Sequence, residues 1–194
     1  MKVQATDGRS SWYPALTGML GLRLAAGLVL VFLLEPVSVD DAFRTFYSMW
    51  WWQHPSFYPL PYWPPGYFWV YGILSGLLED GLLVPRVLTL VLSLLTLLWI
   101  LWDVQEPFRV RWFASIWFAF SPLGLVLGTV PLSETLFVFL LTGGMVLLRR
   151  YLRAGTPWCL LGASTMYLLC TTVRYEGWAF VPMFILLSML RRPS

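Results

Sequence analysis

EPVSVDDAFRTFYSMWWWQHPSFYPLPYWPP, residues 35–65, is the stretch that decides the fold, because it interrupts a chain made otherwise of apolar runs. It contains the acidic pair Asp40 and Asp41, the single histidine His54, the tryptophans 50–52 and six prolines. We expect the apolar runs to form helices that hold this polar, aromatic segment over a site at a membrane surface.

The composition indicates an integral membrane protein. Of 194 residues, 58% are hydrophobic and 12% are charged, and the mean hydropathy is +0.69. Soluble globular proteins carry about 25% charged residues, and apolar runs of about 20 residues are long enough to cross a bilayer. The sequence has no CxxC, HExxH, P-loop or GxGxxG motif, so nothing favours a zinc protease, another metal site or a nucleotide-phosphate site.

The apolar runs predict six membrane-spanning helices and a single transmembrane domain over residues 1–194. The first run is interpreted as a retained helix rather than a cleaved signal, and Arg23 within it is expected to snorkel to the interface. Two further helices, at about 41–52 and 66–78, are expected in a first outer loop that spans about 36–83. The predicted spans are 16–36, 84–102, 112–130, 132–149, 158–173 and 177–190.

The basic residues predict the orientation, because short loops rich in Lys and Arg remain on the cytoplasmic side. Four segments are basic: the N-terminus, 103–111, 149–157 and the C-terminus. They share one side of the membrane only if the chain crosses it six times. The 66–78 helix must then lie on the outer surface. Ten basic residues fall inside or near the inner face, and Arg44, Arg86 and Arg174 fall outside with seven of the ten acids.

The two cysteines, Cys159 and Cys170, lie in one apolar run. Eleven helical residues separate them by about 16 Å, which is too far for a disulfide. We interpret both as small core residues.

This orientation gathers the candidate site residues on the outer face. Ionisable groups at membrane depth usually face a cavity or a partner. A carboxylate can accept the proton of an acceptor hydroxyl, and arginines can hold a phosphate by charge and paired hydrogen bonds. The candidates are Asp40, Asp41, Arg86, Glu134, Arg174, Glu176 and, in the loop, His54.

The acidic candidates also have purely structural interpretations. Asp40 or Asp41 can cap a helix that begins at Asp41 or Ala42. Glu134 can cap the 132–149 helix or pair with Arg174 without any chemistry.

The remaining candidates have similar alternatives. Arg86 can be an interfacial anchor, and His54 can be a hydrogen-bonding loop residue rather than a ligand or catalyst. The tryptophans 50–52 are more typical of an interface belt than of a sugar-stacking platform.

Taken in order, several segments resemble the GT-C membrane glycosyltransferases. These segments are VDDAF (39–43), YWPPGYFWVYGIL (62–74), LLVPRVLTLVLSLLTLLWIL (82–101), SPLGLVLGTVPLSETLFVFLL (121–141) and LLRRYLRAGTPWCLLGASTMYLLCTTVRYEGWAFVP (147–182). The chain is most similar to the group of protein O-mannosyltransferases, lipid A aminoarabinose transferases and GPI mannosyltransferases. The likeness covers roughly residues 16–190 and corresponds to the N-terminal module of that group.

The resemblance implies a GT-C-like bundle that transfers a mannose-like sugar from a polyprenyl-phosphate donor at the extracytoplasmic or lumenal face. Asp40 or Asp41 would be the general base, and Arg86 and Arg174 would border the lipid phosphate. It implies no cofactor, or at most a divalent cation, and no nucleic-acid partner. Its partners would be the polyprenyl-phosphate donor and membrane lipids, and the location a multi-pass position in an inner or plasma membrane or the endoplasmic reticulum.

The chain departs from this family at its C-terminus. GT-C enzymes share about seven spans followed by further helices or a soluble domain, whereas this sequence stops after its sixth predicted span. A fragment, a minimal member, or one half of a pair in which a second membrane subunit supplies the missing helices would each fit. The alternative functions are a non-catalytic membrane subunit that binds a lipid or partner protein and, least favoured, a small transporter.

Overall fold

The computed structural model describes residues 13–33, 39–57, 60, 62–103 and 108–189, and over these residues the chain forms nine α-helices and no strand. The prediction of an all-α fold is therefore confirmed. The helices are α1 Tyr13–Leu33, α2 Val39–Gln53, α3 Gly66–Leu77, α4 Leu83–Trp102, α5 Phe108–Phe120, α6 Pro122–Leu127, α7 Ser133–Ala154, α8 Pro157–Val173 and α9 Gly177–Met189.

The predicted 112–130 span is the one apolar run that the structure breaks. Helix α5 ends at Phe120, and Ser121 starts α6 by accepting a hydrogen bond from the Gly124 N–H at 3.0 Å. Pro122 follows in the first turn of α6, where its missing N–H costs no helical hydrogen bond. A serine followed by proline inside the run thus ends one helix and begins another.

Two long-range ion pairs show that α4 and α7 run in the same direction and α8 in the opposite one, so that the bundle has two ends. Arg149 of α7 pairs with Asp103 at the end of α4, at 2.9 Å. At the opposite end Arg174, which follows α8, pairs with Glu134 in the first turn of α7. We call the end with Glu134 and Arg174 the carboxylate end and the end with Asp103 and Arg149 the arginine end.

Helices α2 and α3 correspond to the two helices expected in the first loop, and the structure packs them against each other at the carboxylate end. Gly72 and Gly76 allow the approach, since a Cβ on Gly76 would lie 2.1 Å from the ring of Trp52. Helix α3 is part of the core, with Tyr67 and Phe68 at most 1% exposed. Just before α3, Leu60 and Trp63 also pack against this core.

Arg23 does not reach an interface, contrary to the sequence-based expectation. It lies halfway along α1, is 1% exposed, and donates from Nη2 to Ser93 Oγ at 3.0 Å and to the Gly124 carbonyl at 2.8 Å. Gly128 leaves room for it, because a Cβ there would lie 1.7 Å from Nη2. The guanidinium therefore joins α1, α4 and α6 instead of snorkelling.

Two helices, α4 and α7, are long and apolar enough to cross a membrane by length and composition. Helices α8 and α9 and the described part of α1 are apolar but shorter. The termini assigned to the inner side, with Lys2, Arg9, Arg191 and Arg192, lie outside the described residues. Cys159 and Cys170 are both free thiols, as expected, but only Cys170 is buried in the core, whereas Cys159 is partly exposed.

Candidate functional site

Arg174 is the centre of a charged cluster at the carboxylate end. It follows α8 in an extended conformation and forms a two-pronged contact with Glu176, from Nε at 3.1 Å and from Nη2 at 2.7 Å. Its Nη1 donates to Glu134, whose second oxygen accepts from Ser133 Oγ at 3.2 Å. Glu134 thus pairs with Arg174, which was one of the two structural interpretations open from the sequence.

The ion pairs of Arg174 with Glu134 and Glu176 also favour the charged forms of the residues in this cluster. Hydrogen bonds from Arg174 lower the pKa of Glu176 to about 2, and the same contacts with Glu176 and Glu134 raise the pKa of Arg174. At neutral pH the guanidinium therefore remains charged.

Arg44 brings a second guanidinium to the same region from α2. Its side chain is 11% exposed, and its Nε donates to Asp40 Oδ2 one turn earlier at 3.0 Å. The guanidinium carbon lies 4.6 Å from the ring centroid of Trp63 and 5.6 Å from that of Tyr67. The aromatic rings hold the cation by contact with their faces.

Arg44 and Arg174 both line a polar pocket of about 180 Å³ between α2, residues 62–64 and the turn from α8 to α9. Tyr62 and Trp63 form an aromatic wall, and Ser133 contributes a hydroxyl. The pocket therefore has two cations, an aromatic surface and carboxylates at its edge. It can bind an anionic group beside a sugar-sized ring.

Arg86 was expected in the same cavity, but the structure places it elsewhere. It lines a second pocket of about 280 Å³ on another face of α2, beside Thr45, Phe46 and Met49. Its Nη1 donates to the Val31 carbonyl near the end of α1 at 3.0 Å. Arg86 thus binds a carbonyl in the last turn of α1, and its pocket and the polar pocket are lined by different residues of α2.

The remaining predicted loop residues have different environments. Asp40 lies in the first turn of α2, which begins at Val39, and it pairs with Arg44. The side chain of Asp41 is outside the described part of the structure. His54 follows α2, is exposed and has its ring centroid 5.3 Å from that of Trp50; it lines neither pocket.

The tryptophans 50–52 differ in exposure and do not form one surface of α2. Trp51 is 9% exposed and donates from Nε1 to the Ser56 carbonyl at 2.7 Å, whereas Trp50 and Trp52 are 39% and 38% exposed. The aromatic wall of the polar pocket comes instead from Tyr62 and Trp63.

Sequence reasoning missed Arg44, Ser133 and Trp63 as site residues. The spacing of Asp40 and Arg44, four residues apart on a predicted helix, was the available signal.

No group of three or more His, Cys, Asp or Glu residues able to hold a metal ion occurs among the described residues. At the pocket itself, Glu134 and Glu176 are both bonded to Arg174. This arrangement does not fit a divalent cation, and we derive no step through one.

Comparison of the chain with protein-family models, curated proteins and solved structures gives no match.

Proposed function

We propose that this protein is a GT-C-like membrane glycosyltransferase that moves a mannose-like sugar from a polyprenyl-phosphate donor to an acceptor hydroxyl or amine. The observation that carries the proposal is the polar pocket, which Arg44 and Arg174 line together with the aromatic residues Tyr62 and Trp63. Such a pocket offers cations for a phosphate and a ring surface for a sugar.

The orientation that we propose has six crossings and places the pocket at the extracytoplasmic or lumenal surface. Support comes from the charges at the two ends. Among the described side chains, the arginine end has five arginines and one acid, whereas the carboxylate end has three arginines and five acids. Basic residues favour the cytoplasmic side. The arginine-end residues are Asp103, Arg109, Arg111, Arg149, Arg150 and Arg153; the carboxylate-end residues are Asp40, Arg44, Glu79, Asp80, Arg86, Glu134, Arg174 and Glu176.

Arg174 and Arg44 are the proposed ligands of the donor phosphate. A lipid phosphate can replace one of the carboxylates that Arg174 now binds, because the planar guanidinium forms the same paired hydrogen bonds with either group. As the sugar–phosphate bond breaks, negative charge grows on the leaving phosphate. The two cations would stabilise that charge.

Asp40 is the proposed general base, with Asp41 as the other candidate. The carboxylate would accept the acceptor's O–H or N–H proton while the acceptor atom bonds to the anomeric carbon and the lipid phosphate departs with the bonding electrons. Attack from the face opposite the phosphate gives inversion at that carbon. Tyr62 and Trp63 would cover the sugar and limit hydrolysis by water.

The experiment measures donor binding and sugar transfer by the purified protein in detergent, with a polyprenyl-phosphate mannose as the donor. We expect Arg174→Ala and Arg44→Ala to weaken donor binding, and Asp40→Asn or Asp41→Asn to stop transfer while donor still binds. Glu79→Gln, in an exposed turn at the same end, is the matched control and should act like the wild type. Failure to bind this donor, or unchanged transfer in all four variants, would contradict the proposal.

The proposed topology is tested by thiol labelling in a background without Cys159 and Cys170. A cysteine at position 80 should react with an impermeant reagent from the outside, and one at position 151 only from the inside. The reverse pattern would exclude this orientation.

A non-catalytic membrane subunit is the second candidate, and one observation favours it. Both cations of the pocket already bind carboxylates, Arg44 with Asp40 and Arg174 with Glu134 and Glu176. Ion-pair networks of this kind also occur for purely structural reasons. Under this alternative, Asp40→Asn would leave every cellular phenotype unchanged, while Arg174→Ala would reduce the amount of folded protein.

A further inference from the structure

An apolar groove of about 450 Å³ lies on the surface between α4 and α7, and it shares no lining residue with the polar pocket. These are the two helices that are long and apolar enough to cross a membrane, so the groove would open towards lipid. Its side chains are partly exposed, with Leu98 at 42% and Trp102 at 52%. The groove is lined by Leu95, Leu98, Trp99, Leu101, Trp102 and Phe139.

A cation is fixed at the arginine end of this groove. The guanidinium carbon of Arg150 lies 3.6 Å from the ring centroid of Trp102, and its Nη2 donates to the Trp102 carbonyl at 3.0 Å. Because Trp102 also lines the groove, the positive charge of Arg150 lies directly at the groove's arginine end. Arg153 is exposed one turn further along α7, and neighbours three positions apart share a helix face.

We propose that this groove binds an anionic phospholipid, with an acyl chain along α4 and the phosphate against Arg150 and Arg153. The groove runs from Trp102 to Leu95, which is about 10 Å of helical rise. Its volume falls within the usual range of ligand sites, about 300–1,000 Å³.

The positive charge at this end of the groove favours an anionic lipid over other occupants. Asp103 is the one acid among the described residues at this end, and Arg149 already binds it at 2.9 Å. Among the described residues, no carboxylate pairs with Arg150 or Arg153, so the positive charge of these arginines can attract an external anion. Basic clusters beside membrane-crossing helices attract anionic headgroups in this way. The site lies at the opposite end from the polar pocket, so it stands whether or not the chain transfers sugar.

The test is native mass spectrometry of the purified full chain with phosphatidylglycerol or phosphatidylcholine added. We expect phosphatidylglycerol to be retained preferentially, and Arg150→Gln to weaken its binding about fivefold, as one interfacial charge contributes about that much. Arg109→Gln removes an exposed charge at the same end outside the groove and should change binding by less than about twofold. Leu98→Trp fills the groove and should reduce retention of both lipids.

Equal retention of the two lipids by the wild type would overturn the proposal. So would an unchanged affinity for phosphatidylglycerol in both Arg150→Gln and Leu98→Trp. Detection of a dimer that Leu98→Trp dissolves would assign the groove to a second copy of the chain instead. Displacement of phosphatidylglycerol from the groove by equimolar polyprenyl phosphate would assign it to the donor lipid.

Discussion

The two arginines of the polar pocket and the two arginines at the end of α4 bind different kinds of group. At the carboxylate end, Arg44 and Arg174 bind carboxylates beside a pocket. At the arginine end, Arg111 and Arg150 instead donate to backbone carbonyls at the end of α4, those of Leu101 and Trp102, at 2.9 and 3.0 Å. Carbonyls at a helix C-terminus carry partial negative charge and lack intrahelical partners.

This difference shows which cations can exchange partners. An arginine that caps a helix also fixes the helix end, so displacing it would expose backbone carbonyls. An arginine held by side-chain carboxylates can release one of them to an incoming phosphate without any change in the backbone. The carboxylate end is therefore the better place for a reaction, and the arginine end is better suited to anchoring.

The largest loss of stability is expected for Gly66→Ala, which adds a methyl group at a tightly packed position of the carboxylate end. A Cβ there would lie 2.4 Å from Thr172 Oγ1 and 2.8 Å from the Thr172 carbonyl oxygen. Because backbone of α8 would have to move, we expect a loss of about 1–3 kcal/mol, measured by thermal unfolding in detergent. Hydrogen exchange should increase in α2 and α3 but not in the last turns of α7.

Gly21→Ala is the control for Gly66→Ala. A Cβ at Gly21 meets nothing within 4 Å, so the better helix propensity of alanine should leave stability unchanged or raise it by up to about 1 kcal/mol. Equal stability of Gly66→Ala and the wild type would show that α3 is not tightly seated on α8.

Much of the helical architecture was predictable, because apolar runs bounded by charge and by Gly or Pro mark helix limits directly. The first-loop helices predicted at 41–52 and 66–78 differ from α2 and α3 by at most two residues at any end. The break between α5 and α6 was missed. A continuous apolar run hides a break, although Ser121 and Pro122 are a local signal for a new helix start.

The site was harder to predict, because its contacts are distant in sequence. Glu134 and Arg174, which meet, are 40 residues apart. Arg86 was placed with them because it starts a helix at the same end, yet its position around α4 turns it to the other side of α2. Arg23 was misplaced for a similar reason: its acceptors lie 70 and 101 residues away.

The next-largest loss of stability is expected from breaking ion pairs, and it should differ between the two ends of the bundle. Asp103 is 10% exposed and binds Arg149, so Asp103→Ala should cost about 1–2 kcal/mol by leaving a partly buried guanidinium without this carboxylate. Glu134→Ala should cost less, since Arg174 keeps both hydrogen bonds to Glu176. Thermal unfolding of both variants in one detergent measures the difference. A larger loss for Glu134→Ala would mean that the two carboxylates are not interchangeable.

A smaller effect is expected for Asp80→Ala, which removes a carboxylate that caps two backbone N–H groups at the start of α4, at the carboxylate end. Asp80 Oδ1 accepts hydrogen bonds from the N–H groups of Leu82 and Leu83 at 2.7 and 2.8 Å. Loss of such a cap costs about 1 kcal/mol. The arginine end should be unaffected by this substitution, as judged by hydrogen exchange in the last turn of α7.

The cap also predicts a pH dependence. The backbone N–H groups of Leu83 and Leu82 lower the pKa of Asp80, so the folded state favours the ionised carboxylate. Its contribution is complete well above the unfolded pKa, about 3.9, and is lost as the pH falls through the lower folded pKa. The stability difference between wild type and Asp80→Ala should therefore shrink below about pH 4, and a constant difference from pH 7 to pH 3 would contradict the assignment.

The smallest effect on stability is expected at the residue with the largest proposed effect on activity. Asp40 is 47% exposed and pairs with Arg44 one helical turn away. Such pairs contribute about 0.3–0.5 kcal/mol and are weakened by salt, so Asp40→Asn should lower stability by that amount or less, and by nothing measurable in high salt. Arg44 keeps its contacts with Trp63 and Tyr67 in this variant, so the pocket should keep its shape. Loss of transfer at nearly unchanged stability would then assign Asp40 to the chemistry. A loss of stability above about 1 kcal/mol, more than a surface pair provides, would instead make it a structural residue of the carboxylate end.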